Sequence, residues 1–293
     1  MLYLSYYKAY ALCFFTFISF NYSIGQESIF TSEKVTFYSQ ETALEGTIVR
    51  PIDPYAAVVI VHGSGQTPRL IEFAEQLAEV GITVLTYDKR GVGESGGIYA
   101  GPEVGTNNID ASNLDLLAND VSAAVDILHK KESELPIGLI GFSQAGWIIP
   151  MAAKKNPLVN FMVLFSCPTI TTLEQLRFQF YTNGNEDFWK NHTEEDARYH
   201  VKNDPDRYQF VGTDPKDYLS ALSTPGLWIF GQKDIQIPVG MCMDQLNSLK
   251  SKGGNFEYCV FSDLGHNTAF ADTSSPVDIS IQWIKQEVEC LKD

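Results

Sequence analysis

Six short apolar runs, at residues 56–62, 83–88, 137–141, 161–165, 226–230 and 256–261, constrain this chain more than any other feature of its sequence. They do not alternate strictly between polar and apolar positions, so they fit strands covered on both faces. Between them apolar residues recur at helical spacing, over 70–80, 114–131 and 147–155, and again over 279–291. In the second of these stretches Val121, Ala124, Val125 and Leu128 share one helix face. Buried strand, amphipathic helix, buried strand, repeated, predicts an α/β protein with a doubly wound, mostly parallel sheet. Two alternating segments before the first run, 34–38 and 44–50, predict half-exposed antiparallel strands at one edge.

The stretch 168–225 between two central strands is too long for a simple crossover, and it carries helix-start signals. Thr171 and Glu174 are spaced as a capping box, while Asp204-Pro205 and Asp214-Pro215 place an Asp before a Pro suited to a first helical position. A helical cap is expected there, rich in aromatic residues (Phe178, Phe180, Tyr181, Phe188, Trp189, Tyr199, Tyr208, Phe210) that serve either as its own core or as a pocket lining. With no repeat and no low-complexity linker in view, residues 26–293 are expected to form one folded unit.

Residues 1–25 stand apart. They hold one charge, Lys8, then an apolar core at 11–20 too short to span a bilayer, then Ser23 and Gly25 in a small-x-small arrangement. This is the layout of a secretory signal peptide cleaved before Gln26, which implies a mature protein outside the cytoplasm, secreted or periplasmic. The 21 basic against 36 acidic residues give a net charge of −15, which would repel a nucleic-acid backbone and an anionic lipid surface. A small uncharged or cationic partner fits better, with no stable membrane insertion. Beyond Cys13, the cysteines Cys167, Cys242, Cys259 and Cys290 are even in number, compatible with two disulfides or with buried thiols. None forms a CxxC pair, and no histidine-carboxylate spacing of the HExxH kind is present, so no metal or other cofactor is implied.

Chemistry concentrates just past the ends of the predicted strands. The run 137–141 enters a helix through Gly141-Phe-Ser143-Gln-Ala145-Gly146, with small residues two before and two after a serine. That spacing is a nucleophile elbow, because strand and helix pack closely and the serine takes a strained backbone that thrusts its Oγ outward. Ala145 departs from the usual Gly, and Gly146 is expected to relieve part of the resulting crowding. A serine hydroxyl needs a base, and the base needs a carboxylate to hold its tautomer. Asp234 follows the run 226–230 and His266 follows 256–261, giving the order Ser143, Asp234, His266. Asp263 is a rival acid. Two backbone N–H groups are expected to form an oxyanion hole: Gln144, after the nucleophile, and Ser64 in His62-Gly-Ser-Gly65, with Gly65 in reserve.

Together with Tyr87-Asp-Lys-Arg-Gly-Val-Gly-Glu-Ser95, Gly231-Gln-Lys-Asp234 and Gly265-His266, these motifs resemble the α/β-hydrolase superfamily. Within it the chain is similar to secreted bacterial carboxylesterases of the serine aminopeptidase and dienelactone hydrolase-like group, from Glu33 to the C-terminus. The resemblance implies an α/β-hydrolase fold, a Ser-Asp-His triad with no cofactor, and hydrolysis of carboxylic esters. It also implies that Asp88 and Arg90 organise the loop beside the oxyanion turn. A peptidase acting on short peptides, or a thioesterase or acyltransferase, would use the same triad. A binding protein that keeps the fold without activity is the contrasting expectation.

Overall fold

The computed structural model describes residues 29–99, 111–204 and 212–292. The expected signal segment lies outside these, as do Pro205, Tyr208 and Phe210 of the cap.

Eight strands form one sheet: β1 (Phe30–Ser39), β2 (Thr42–Pro51), β3 (Ala56–Val61), β4 (Ile82–Tyr87), β5 (Ile137–Phe142), β6 (Val159–Phe165), β7 (Gly226–Gly231) and β8 (Phe256–Phe261). Their order is β1-β2-β4-β3-β5-β6-β7-β8. The β1–β2 and β2–β4 pairs are antiparallel and every other pair is parallel, so the edge hairpin and the parallel centre fall where the sequence pattern puts them.

Five of the six apolar runs are buried on both faces because helices cover both. The last, β8, is the outer edge strand of the sheet, where no further strand covers it, and Glu257 and Tyr258 are exposed. Ala57, Val59 and Val61 of β3 pack into one core with α2 (Ala111–Lys131), α3 (Ala145–Lys155) and α8 (Val239–Lys250). Ala56, Val58 and Ile60 pack into another with α1 (Ile71–Glu79) and α9 (Ser275–Cys290). Each Val or Ile among them, shielded completely, contributes roughly 1.5–3 kcal/mol by leaving water, and each Ala methyl about 0.8 kcal/mol. α8 was not singled out in the sequence, although Val239, Cys242, Leu246 and Leu249 lie on one face and, with Gly240, are its buried positions. Gly240, Asn247 and Ser248 interleave with them and dilute the apolar pattern.

Among the described residues, four helices are inserted between β6 and β7: α4 (Thr172–Thr182), α5 (Phe188–Asn191), α6 (Glu194–Asn203) and α7 (Lys216–Leu219). The capping box at α4 is formed, with Glu174 N donating to Thr171 Oγ1 at 3.1 Å and Thr171 N donating to Glu174 Oε2 at 2.9 Å. Asp214 caps the next start through its Oδ1, which accepts from Lys216 N at 2.9 Å. Asp204 closes α6, its N–H bonded to His200 O, and the helix start expected at Asp204-Pro205 lies outside the described residues. Phe178 and Phe188 pack with Ala197 and Val201 as a small core of the insertion, with Tyr181 and Trp189 against it. Phe180 and Tyr199 are exposed. None of these rings lines the cavity beside Ser143.

Cys167 and Cys242 are buried, Cys259 is half-buried and Cys290 is exposed, all as free thiols, so neither disulfide forms. Among the described residues no helix is long and apolar enough to cross a membrane.

Candidate active site

The loops after β3, β5, β7 and β8 meet at the carboxyl edge of the sheet, where open α/β sheets place their ligands. Ser143 follows β5 with φ +50°, a left-handed conformation that costs a non-glycine residue of order 1–3 kcal/mol and survives only where packing enforces it. The enforcement is visible. Ser143 N donates to Phe165 O at 3.1 Å, and Gly146 N closes the turn on Ser143 O at 2.9 Å. A Cβ on Gly141 would sit 2.5 Å from Ala145 Cβ and 2.6 Å from Ile149 Cδ1, so the close approach of strand and helix is absorbed at Gly141. Gly146 does not relieve Ala145. Its missing side chain makes room for Pro168, where the chain leaves β6 for the insertion.

Asp234 is fully buried in the loop after β7. Its Oδ1 accepts from Gln236 N at 2.7 Å and Ile237 N at 3.0 Å, and its Oδ2 lies 2.7 Å from His266 Nδ1. His266 Nε2 lies 3.0 Å from Ser143 Oγ. The structure therefore joins Ser143, His266 and Asp234 in one hydrogen-bonded chain, with the carboxylate on Nδ1 so that the unprotonated Nε2 faces the serine. The loop bearing His266 is pinned by Thr268, whose Oγ1 pairs with Ser166 Oγ at 2.9 Å. Asp263 points elsewhere: it is exposed and faces Lys233 Nζ at 3.4 Å.

The insertion braces the acid. Trp189 Nε1 donates to Asp234 O at 2.8 Å, Thr182 Oγ1 to Ile235 O at 2.6 Å and Gln175 Nε2 to Gln236 O at 3.0 Å. Three side chains of α4 and α5 thus hold three successive carbonyls of one loop. Nothing in the sequence marks this arrangement, because the partners are backbone atoms some fifty residues away.

Ser64 follows β3 and shares two cavities with Ser143, and Gly65 after it takes φ +100°, which lets the chain turn back over the site. The far end of this loop is held by Arg69, which donates to Asp88 from its backbone N at 2.8 Å and from Nη2 to Oδ2 at 2.6 Å. Burial raises the Asp88 pKa, but Arg69 and the N–H groups on the carboxylate more than offset it, leaving Asp88 below its ordinary value. Arg90 turns away to Asp120, with Nε 2.9 Å from Oδ2. Asp88 thus ties the turn after β4 to the loop bearing Ser64, as the resemblance implied, whereas Arg90 departs from it and anchors that turn to α2 and to the ends of β1 and β2.

Two clefts flank Ser143. One of about 270 Å³ is lined by Leu70, Phe142, Phe270 and Thr67 with His62 at its base. The other, about 110 Å³, lies under α4 and is lined by Gln144, Gln175, Gln179 and Gln236 with Trp147 and Leu176. Of these, Gln144 was expected from the sequence as an oxyanion donor, and His62 and Phe142 lie within its motifs. Leu70, Gln175, Gln179, Gln236 and Phe270 went unmarked, and among them only Gln236, two past the predicted acid, had a position that could have flagged it. Among the described residues, no three His, Cys, Asp or Glu side chains are grouped as metal ligands.

A family model described as serine aminopeptidase, S33, matches residues 52–191. That stretch holds Ser64, Ser143 and Gln144 and ends before Asp234 and His266. Esterase EstD of Thermotoga maritima is 27% identical over 249 residues, covering 75% of this chain and 56% of the esterase. Acylamino-acid-releasing enzyme 1 of Oryza sativa is 22% identical over 252 residues, covering 79% of this chain and 30% of that enzyme. The chain thus spans little more than half of the one and under a third of the other. Among solved structures, the Pyrococcus furiosus esterase Pf2001 superposes with a TM-score of 0.65 at 19% identity, covering 88% of this chain and 92% of the esterase.

Proposed function

We propose that this chain, which has the α/β-hydrolase fold, cleaves carboxylic esters through an acyl-enzyme formed on Ser143. The observation that carries this reading is His266, which sits between Ser143 Oγ and Asp234 Oδ2 at hydrogen-bond distance from both. In the first half-reaction Oγ attacks the ester carbonyl as His266 Nε2 takes its proton. The imidazolium is stabilised by Asp234, and the carbonyl oxygen, now negative, accepts from the Ser64 and Gln144 N–H groups. His266 then gives the proton to the departing alcohol. Water repeats the sequence on the acyl-enzyme, releasing the acid and restoring Ser143.

The larger cleft, with Leu70, Phe142 and Phe270 on its walls, suits an apolar substituent on one side of the scissile bond. The glutamine-lined cleft gives the second reading its support: amide side chains can pair with the backbone of a short peptide, and one relative is by name an acylamino-acid-releasing enzyme. Within the same proposal the chain acts outside the cytoplasm after loss of residues 1–25, which N-terminal sequencing of the mature protein checks.

The deciding experiment is hydrolysis of p-nitrophenyl esters across acyl lengths, alongside a panel of short peptides, by the protein and by Ser143→Ala. Turnover abolished in Ser143→Ala is expected, with the best ester reporting the apolar cleft. Peptide turnover exceeding that of any ester would move the assignment to the peptidase. A protein that neither turns over substrate nor takes a fluorophosphonate on Ser143 is no serine hydrolase.

A further inference from the structure

Lys89 stands between Asp88 and Arg90 in the turn after β4, and the three adjacent charges go three ways. Asp88 takes Arg69 and Arg90 takes Asp120, both away from Ser143. The Lys89 ammonium, on a residue only 3% exposed, turns toward the site and donates to Gly63 O at 2.7 Å and to Gln144 Oε1 at 3.1 Å. Those acceptors belong to the two segments that carry the oxyanion donors. Taking an ammonium out of water is expensive, so a buried lysine here calls for a role beyond filling space.

The geometry supplies one. The Gly63 carbonyl and the Ser64 N–H are opposite ends of a single planar trans peptide and point in opposite directions. A cation fastened to the carbonyl therefore sets the plane of that peptide and presents the Ser64 N–H away from Lys89. It also draws electrons from the carbonyl, which makes the N–H a stronger donor. The same ammonium holds the side chain of Gln144, whose own N–H is the second donor, so one group fixes the spacing between the two. The Cβ position at Gly63 lies only 3.4 Å from Ser143 Cβ, so a small shift of this peptide is felt directly at the nucleophile.

We propose, on the acyl-enzyme reading above, that Lys89 is the positioning residue of the oxyanion hole. It touches no reacting atom. Its charge stands behind both donors and favours the anionic transition state over the neutral ground state, so its loss should fall on kcat and not on KM.

The test compares the intact protein with Lys89→Met, which fills the same space without donating, and Lys89→Arg, which can donate to both acceptors. Removing one oxyanion donor outright costs about 100- to 1000-fold in other hydrolases, and misplacing two should cost about 10- to 100-fold. Lys89→Met is expected to lose that factor in kcat with KM within about threefold, and to be phosphonylated on Ser143 more slowly in the same proportion. Lys89→Arg should recover part of the loss. A folded Lys89→Met whose kcat and labelling rate both stay within about twofold overturns the proposal. Should Lys89→Met fail to fold, Gln144→Leu removes one of the two contacts and keeps the backbone N–H; a loss of severalfold in kcat supports the assignment, and an unchanged kcat overturns it. An intact protein that fluorophosphonate does not label at Ser143 overturns the acyl-enzyme reading itself, and Lys89's role with it.

Discussion

Asp234 Oδ2 and His266 Nδ1 lie 2.7 Å apart, with the carboxylate side chain fully buried and the imidazole one-tenth exposed. Because Oδ1 is already taken by Gln236 N and Ile237 N, the carboxyl group has one orientation, and that orientation fixes the imidazole tautomer. Asp234→Asn keeps the shape but can present an N–H to Nδ1, inverting the tautomer and turning Nε2 from acceptor to donor. A fall in kcat of about 10³- to 10⁴-fold is expected, with the melting temperature little changed. Steady-state kinetics of the purified variant checks it.

Asp263→Asn gives the opposite result. The residue stands three positions before His266 in sequence, but its side chain is 88% exposed and meets only Lys233 at 3.4 Å. Exposed pairs of this kind contribute roughly 0–1 kcal/mol, and activity should remain within about twofold. A collapse of kcat in this variant would mean that the acid had been assigned to the wrong aspartate.

Most of the fold was legible because every apolar run but the edge strand β8 is buried on both faces, and that demand writes itself into consecutive residues. The elbow was legible for a similar reason: Gly141 is required by contacts with Ala145 and Ile149, four and eight positions on. What the sequence hid depends on partners without a side-chain identity. Lys89 acts on the Gly63 carbonyl and Trp189 on the Asp234 carbonyl, and any residue could supply those acceptors. The aromatic residues of the insertion left two uses open, and the structure spends Phe178 and Phe188 on its own core. Gly146 misled by adjacency, since its contact is with Pro168 and not with the elbow.

The three donors from α4 and α5 to the carbonyls of residues 234–236 predict that the insertion is part of the machinery that holds the acid. Thr182→Val takes this donor from the carbonyl of half-buried Ile235 and should destabilise the protein by about 0.5–1.5 kcal/mol, read from urea unfolding. Combining it with Trp189→Phe should lower kcat by more than the two single variants' effects together, since both act on one loop. Simple additivity with unchanged kcat would show that the acid loop holds itself.

Gly141→Ala tests the elbow directly. The new methyl would meet Ala145 Cβ at 2.5 Å and Val61 O at 3.1 Å, and neither neighbour can retreat without moving α3 or β3. Overpacking of this kind costs about 1–3 kcal/mol, and the displaced serine should lose activity out of proportion to the fold. The double variant Gly141→Ala with Ala145→Gly removes one of the two clashing methyls and is expected to recover much of both, which circular dichroism melts and ester turnover measure together.

His62 makes the protein's stability depend on pH in a definite direction. Burial, and then the nearby Lys89 ammonium, push its pKa from 6.5 down to about 3, against a smaller opposing pull from Asp88. The ring, edge-on to Tyr87 at 5.1 Å between centroids, therefore stays neutral in the fold while the unfolded chain takes up a proton below pH 6.5. The contribution is fully present above pH 6.5 and falls as the pH drops toward 3, by up to about 1.4 kcal/mol per unit. Carboxylates add their own dependence, so the measurement is a difference. Between pH 7.5 and 5.0 the parent protein should lose about 2 kcal/mol more unfolding free energy than His62→Phe, whose ring cannot take a proton. Parallel urea curves for the two across that interval would mean that His62 is protonated as readily in the fold as outside it.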